Sequence, residues 1–304
     1  MSYYGLVRRL RLHFLKALLL SVVFISGCTT RPSPRFEAAA SNFEDNLTAE
    51  EIFQATFLKH GGSSLASLQD VSVAIDGEWY FLITRIQPEV TDARYRQQSE
   101  ERVVLSPRLY AVNYNGEAGT KEVFRSESDI RVGYNGTSSS DTRKEMATAL
   151  TADAFYMFAL GPLALNSRVN NWKRLEDRNE NGNSYYRVNG ELKPGIGISD
   201  SDFITLWINK KDDLTFRLHI TLDGFETTVG AHVYTSFLNY TRIEQFTLPT
   251  HFFERVIGPI SINAHEWWYT GIDINRGLNA KDIGVDGWSD KALVPAKQYN
   301  MRSH

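Results

Sequence analysis

Short apolar runs separated by tight-turn signals recur along most of this chain, and they leave few folds open to it. Val71-Ser72-Val73-Ala74-Ile75 alternates in the manner of a strand with one buried face. Asp76-Gly77 follows as a turn or bulge signal, and Trp79 to Ile86 is rich in strand formers. Arg102 to Tyr114 alternates again and closes on Asn115-Gly116. Short strands are expected at 122–124 and 130–134, the second closing on Asn135-Gly136, where both residues tolerate the positive φ of a hairpin turn. Further strands are predicted at 172–178, 184–189, 203–209, 214–222, 228–240, 246–257 and 262–275. Their links, such as Asn181-Gly182 and Asp223-Gly224, are short, which favours antiparallel neighbours. A sheet of roughly ten to twelve strands has to curl.

Two segments break the strand pattern. Thr48-Ala49-Glu50-Glu51 is a capping box, Ile52, Phe53, Thr56 and Phe57 follow at helical spacing, and Gly61-Gly62 ends the run. A helix is predicted at 49–60. Ser140 to Leu165 carries Met146, Leu150, Phe155, Met157, Phe158, Leu160 and Leu163, also at helical spacing. Helices are expected at 141–150 and 152–160, with Pro162 enforcing a stop. The fold class is therefore α+β: a strongly curved antiparallel sheet with helices covering one face.

The N-terminus is of another kind. Arg8, Arg9, Arg11 and Lys16 precede an apolar run that ends in Ile25-Ser26-Gly27-Cys28. A basic start, a short apolar stretch and small residues mark a secretory signal. Ala17 to Gly27 is too short to span a bilayer, which takes about 20 residues. The four residues ending at Cys28 resemble the lipobox of bacterial lipoproteins. That resemblance implies cleavage after residue 27, lipidation of Cys28 and membrane attachment through the lipid. Thr29, standing where an Asp tends to retain lipoproteins in the inner membrane, implies the outer membrane facing the periplasm. The expected organisation is a signal at 1–27, a lipidated Cys28 with a flexible tether to residue 47, and one domain over 48–304 whose tail from 277 wraps the surface.

Composition excludes several classes. Without residues 1–27 the chain keeps 29 of its 33 Lys and Arg against 36 Asp and Glu, a net charge of −7. No basic run remains, so nucleic acid is not an expected partner. Cys28 is the one cysteine, so no intrachain disulfide forms. The histidines at 60, 219, 232, 251 and 265 are scattered, and His265-Glu266-Trp267-Trp268-Tyr269 has Tyr269 where a zinc-binding helix would carry its second His, so no metal site is expected. Gly61-Gly62-Ser63-Ser64 follows a helix and lacks a nucleophile elbow. Gly195-Ile196-Gly197 lacks the third glycine of a dinucleotide fingerprint. No catalytic residue and no cofactor are expected.

The layout resembles the Lol-type carriers that sort lipoproteins to the outer membrane. The resemblance is carried by the helix Ala49–Phe53 ending at His60-Gly61-Gly62, by Leu65, Leu68 and the Val71 strand, and by Trp207-Ile208-Asn209, Leu214–Leu218 and the strand pair 228–256 with Leu248-Pro249. It implies an incomplete barrel plugged by helices, with acyl chains held between them, and it transfers no individual residue. On this reading the chain is a monomeric, non-enzymatic envelope protein that binds an acyl chain, a lipid or a lipidated protein. The candidate cavity residues are Trp79, Phe81, Phe155, Met157, Phe158, Leu160, Leu163, Trp207, Phe216, Phe237, Phe252 and Trp267. A filled core that serves protein–protein contacts, and an envelope hydrolase whose triad is dispersed in sequence, remain open alternatives. Replacing Cys28 with alanine should release the protein from salt-washed membranes; a variant that still sediments with them would overturn the anchor.

Overall fold

The computed structural model describes residues 32–283 and 288, so the signal, Cys28 and Thr29 lie outside the described residues. Thirteen strands form one antiparallel sheet: β1 (Asp70–Trp79), β2 (Gln98–Val104), β3 (Leu109–Gly116), β4 (Gly119–Ser126), β5 (Ile130–Tyr134), β6 (Thr137–Ser138), β7 (Val169–Glu180), β8 (Asn183–Leu192), β9 (Asp202–Asn209), β10 (Thr215–Thr221), β11 (His232–Ile243), β12 (Phe246–Gly258) and β13 (Ile262–Ile274). The spatial order is β6-β5-β4-β3-β2-β1-β13-β12-β11-β10-β9-β8-β7. Every neighbour is also a neighbour in sequence except β1 and β13. The sheet is thus two meanders stitched along one seam, and it stays open between β6 and β7.

The chain between those open edges is helical. The helices are α1 (Ala49–Lys59), α2 (Phe81–Ile86), α3 (Pro88–Thr91) and α4 (Thr142–Leu160), the last followed by a 3-10 stretch, Gly161–Leu165. At 1.5 Å per residue α4 is about 28 Å long, enough to cross the hollow of the curved sheet. It packs on β3, β4 and β5 of one meander and on β12 of the other. A curved sheet wrapped around a helix explains why one cluster of buried side chains unites Val71, Val73 and Val112 with Leu206, Leu218 and Phe252. By length and composition Thr142–Leu165 could cross a membrane, yet 94% of its apolar window is buried inside the domain.

Local signals explain how the elements begin and end. The Glu51 amide donates to Thr48 Oγ1 at 3.2 Å, and the Thr48 amide donates to Glu51 Oε2 at 2.8 Å, the reciprocal cap expected from sequence. Gly61 adopts φ +100°, and a Cβ there would meet the Gln245 carbonyl at 2.6 Å. Between the two lies His60, fully buried as the C-cap of α1. Its Nδ1 lies 2.8 Å from the Thr247 carbonyl and its Nε2 accepts from the Thr215 amide, which tie the helix to β12 and to the start of β10. Burial lowers its pKa to about 4, so the ring is neutral, with the proton on Nδ1.

Four expectations need correction. The 141–160 region is one helix without a break near 151; Thr151 is accommodated by its hydroxyl donating to the Thr148 carbonyl. Trp79 to Ile86 is not one strand. β1 passes straight through Asp76-Gly77 to Trp79, and Phe81–Ile86 turns into α2 because tertiary contacts over the concave face outweigh strand propensity. Arg102 to Tyr114 is two strands, β2 and β3, folded back at residues 105–108. Finally, residues 34–47, read as part of a free tether, lie along the convex face of β7–β9. Their acids find buried partners there: Glu37 with Arg187 at 2.6 Å and Asp45 Oδ2 with Arg174 at 3.1 Å. The described part of the C-terminal tail covers the other end of that face, where Leu278, Ile283 and Trp288 pack on Val104, Leu109, Ala111 and Phe124.

Asp153 fastens α4 in place. It is 4% exposed and sits among apolar neighbours. Its carboxylate accepts from Arg125 of β4 through Nε at 3.2 Å and Nη2 at 2.9 Å, from Arg108 at 3.3 Å, and from the Gly197 amide at 3.0 Å. Gly197 belongs to the opposite meander, so one side chain joins both halves through the helix. Replacing Asp153 with asparagine leaves two part-buried guanidinium groups without their counter-charge. Urea unfolding should show a loss of about 3 kcal/mol, with the m-value unchanged.

Candidate functional site

A cavity of 220 Å³ lies under α2 and α3, between α4 and the strands β11, β12 and β13. Its walls are mainly apolar: Ile83, Val90, Leu150, Ala154, Phe155, Phe158, Leu222, Val233, Val256, Ile262 and Ala264. α4 contributes Leu150, Ala154 and Phe158 because positions four apart lie on one helix face. α2 contributes Ile83 and Ile86 for the same reason at a spacing of three. Three residues around the cavity, Ile86, Val229 and Ile260, are solvent-exposed, the last two on the loop before β11 and the turn after β12. Two polar bonds cross the same edge: Gln87 Nε2 donates to the Thr227 carbonyl at 2.8 Å, and Thr227 Oγ1 donates to Gln87 Oε1 at 2.7 Å.

The inner end is polar. Arg96 is 4% exposed and its guanidinium is boxed by three rings, at 4.9 Å from Trp79, 5.1 Å from Tyr114 and 5.1 Å from Phe155. Such stacking offsets part of the lost hydration of a cation. Nη1 donates to the Val90 carbonyl at 2.9 Å. Nε and Nη2 have no hydrogen-bond partner. Glu254 also lines the cavity and accepts from Thr235 Oγ1 at 3.1 Å; burial pushes its carboxyl up to about 7. Behind it lies His265, stacked 3.9 Å from Trp79 and 4.7 Å from Trp267, with burial and then Arg96 holding its pKa well below the usual 6.5.

The predicted cavity residues separate into four sets. Trp79, Phe155 and Phe158 line the cavity. Met157, Leu160, Leu163, Phe237, Phe252 and Trp267 are packed solid in the core, with Phe252 and Trp267 stacked at 4.9 Å. The interior is therefore filled over most of its length and hollow at one end. Phe81 is 71% exposed on the first turn of α2. It borders a larger, more open groove of 1130 Å³ that carries many charged and polar residues, including Asp76, Glu78, Arg85, Asp92, Arg94 and Gln98.

Trp207 and Phe216 lie on the opposite, convex face. In β9, Leu206 and Ile208 face the core, so strand alternation turns Trp207 outward. In β10 a bulge between Thr215 and Arg217 flips Phe216 to the same side, where it stacks on Tyr185 at 4.8 Å. The alternation was readable for Trp207; the bulge was not. Arg96 and Glu254 were missed altogether, because neither lies in a motif and the fold alone brings them together.

Among the described residues, no group of three or more His, Cys, Asp or Glu side chains could hold a metal ion. Of the histidines, His251 bonds Glu266 at 2.9 Å, and His219 and His232 approach each other at 2.8 Å within the convex face.

No family profile matches the chain, and no curated protein matches it. Solved structures similar to it include a LolA superfamily protein from Nitrosomonas europaea, with 12% identity and a TM-score of 0.48 over 79% of this chain and 98% of that one. A putative outer membrane lipoprotein-sorting protein domain from Vibrio parahaemolyticus shows 10% identity and a TM-score of 0.42, over 78% and 95% respectively. The lipoprotein LppX of Mycobacterium tuberculosis shows 12% identity and a TM-score of 0.27, over 76% and 98%. These are the kinds of protein that the sequence resemblance named.

Deeper behind the Arg96 box is Glu101, 1% exposed, whose carboxyl burial raises from 4.5 to about 7. Below pH 4.5 it is protonated in folded and unfolded chains alike and costs nothing. Between 4.5 and 7 the unfolded chain ionises first, so the folded state loses stability as pH rises. A Glu101→Gln variant lacks that loss. Its unfolding free energy relative to the parent should move in its favour across this window by about 3 kcal/mol. Chemical denaturation at pH 4.5 and pH 8 measures it, and a difference independent of pH would refute the assignment.

Proposed function

We propose that this chain is a cell-envelope protein, anchored through a lipid on Cys28 and facing the periplasm from the outer membrane, that binds the alkyl part of a hydrophobic ligand. The observation that carries the reading is a partly open cavity with mainly apolar walls and exposed apolar residues at its mouth. A concave, mainly apolar pocket that opens to solvent is the ordinary form of a site for a greasy molecule. Binding follows from burial alone, at about 0.8 kcal/mol per methylene removed from water. At about 30 Å³ per water-sized group, a cavity of 220 Å³ takes about seven methylenes. A longer chain extends past Ile86, Val229 and Ile260. A share in carrying lipids or lipidated proteins accords with this geometry.

Linear 1-alkanols from hexanol to decanol provide the test. Melting temperature should climb with each added carbon and level off when the cavity is full. An Ala154→Phe variant, which fills the space beside Phe155, should lose most of the increase. Equal shifts for all chain lengths, or an unchanged series in the variant, would sink the reading.

A further inference from the structure

The apolar side chains that this protein leaves in solvent gather at one end of the sheet. Among the described residues nine large apolar side chains are exposed, and six of them, Phe81, Leu82, Ile86, Ile198, Val229 and Ile260, lie in the links β1–β2, β8–β9, β10–β11 and β12–β13. In this antiparallel order those four links share one end. The cavity opens there too, and Ile86, Val229 and Ile260 belong both to its wall and to the surface. On α2 the exposed positions are 81, 82, 85 and 86, which share one face of the helix. Arg85 is the one charge on that face, and its guanidinium lies 5.1 Å from the centre of the Phe81 ring. Neighbouring charges are matched within the protein: Arg35 pairs with Asp223, and Arg143 pairs with Glu226 and, at 3.1 Å, with Glu89. A rim of this composition gains most by removing its apolar surface from water.

The N-terminal segment leaves the domain at the same end. The Pro34 carbonyl accepts from Asn189 of β8 at 3.3 Å, and Arg35 reaches Asp223 in the link after β10. The Asp223 carboxylate also accepts from the Gly230 amide at 2.9 Å, so one side chain joins this segment to the loop that carries Val229. From Cys28 to Ser33 the chain spans at most about 18 Å. β12 has thirteen residues and covers about 43 Å between the far end of the sheet and the rim. A lipid on Cys28 therefore keeps the rim end nearer the bilayer than the far end, where His60 caps α1.

We propose that the rim docks on the bilayer that holds the Cys28 lipid: Phe81, Leu82 and Ile86 of α2, with Val229 and Ile260 of the two loops, enter the boundary between head groups and acyl chains, and the cavity opens onto the hydrocarbon. This rests on the anchored, ligand-binding reading above and adds the direction from which a ligand arrives. An alkyl chain then passes between membrane and cavity without exposing its methylenes to water. Arg85 extends along its own apolar stem and keeps its charge at the level of the head groups.

Fluorescence quenching of the lipidated protein in vesicles of phosphatidylethanolamine and phosphatidylglycerol tests the docking. Cys28 is the one native cysteine and its thiol carries the lipid, so Val229→Cys or Leu58→Cys supplies a single labelling site. Val229 and Leu58 are comparably exposed, at 65% and 54%, but Leu58 lies on α1 at the opposite end. A quencher on the acyl chains should quench a label at 229 at least about threefold more than one at 58, since docked apolar residues lie about 5–10 Å into the boundary. Adding Phe81→Asp and Ile260→Asp, both at exposed positions, should bring the label at 229 down to the level at 58 while the lipid keeps the protein on the vesicles. Circular dichroism checks that each variant is folded, and the comparison of the two labels needs neither Asp substitution. Equal quenching at the two sites, or undiminished quenching at 229 with both Asp substitutions, overturns the docking. A label at 229 that is shielded from iodide yet untouched by the lipid quencher overturns it in favour of a second copy of the chain covering the rim. If the parent does not float with the vesicles, it is the anchor that fails, and the docking falls with it.

Discussion

Asp153 sits in the buried part of α4 and receives hydrogen bonds from Arg125, from Arg108 and from the Gly197 amide. These partners come from the two meanders of the sheet, which meet each other directly only along β1 and β13. An open sheet of thirteen strands has two free edges and no closure of its own. α4 supplies the closure, and the carboxylate fixes its depth and rotation. Burying such a charge is unfavourable by itself; three donors, two of them cationic, make it tolerable and make any other seating of the helix worse. Apolar contact alone would let a helix carrying Leu150, Phe155 and Phe158 slide or rotate among similar positions. The ionic hub gives it one.

The cavity is a consequence of that seating. α4 fills the hollow where Met157, Leu160 and Leu163 meet Phe237 and Phe252, and it leaves the other end to be roofed by α2 and α3. These two helices are six and four residues long. They are held by few bonds, among them Gln87 with Thr227 and Glu89 with Arg143. The roof is therefore the least secured part of the wall around the cavity. Polar groups survive beneath it because the aromatic box replaces water around Arg96, and because burial raises the Glu101 and Glu254 carboxyls to about 7 and holds the His265 ring well below its usual 6.5.

The convex face shows the opposite strategy. There Arg187 and Arg217 lie over Trp207, at 5.4 and 4.9 Å, and Arg217 pairs with Glu180 at 2.7 and 2.9 Å. Stacked cations and rings let that face bury its own small cluster of Tyr185, Trp207, Tyr234 and Ile257. This is why strands β8 to β11 read as aromatic on both faces. It is also why aromatic content misassigned Trp207 and Phe216 to the interior.

The amino-acid order alone determined the strands, most of their turns, the reciprocal Thr48–Glu51 cap, the apolar helical segment and the lipobox-like start. Each is governed by residues within a few positions of one another, so periodicity, capping and turn chemistry suffice. Trp79, Phe155 and Phe158 were legible as interior for the same reason. Only the tertiary structure decided that Phe81–Ile86 is a helix, that a bulge turns Phe216 outward, that Asp153 binds both halves of the sheet, and that Arg96 is boxed by three rings at the end of a hollow. The hub joins Asp153 to Arg125, 28 positions away, and the cavity brings Arg96 and Glu254 into one wall; how a buried charge is matched is a property of the space around it, which no local pattern encodes.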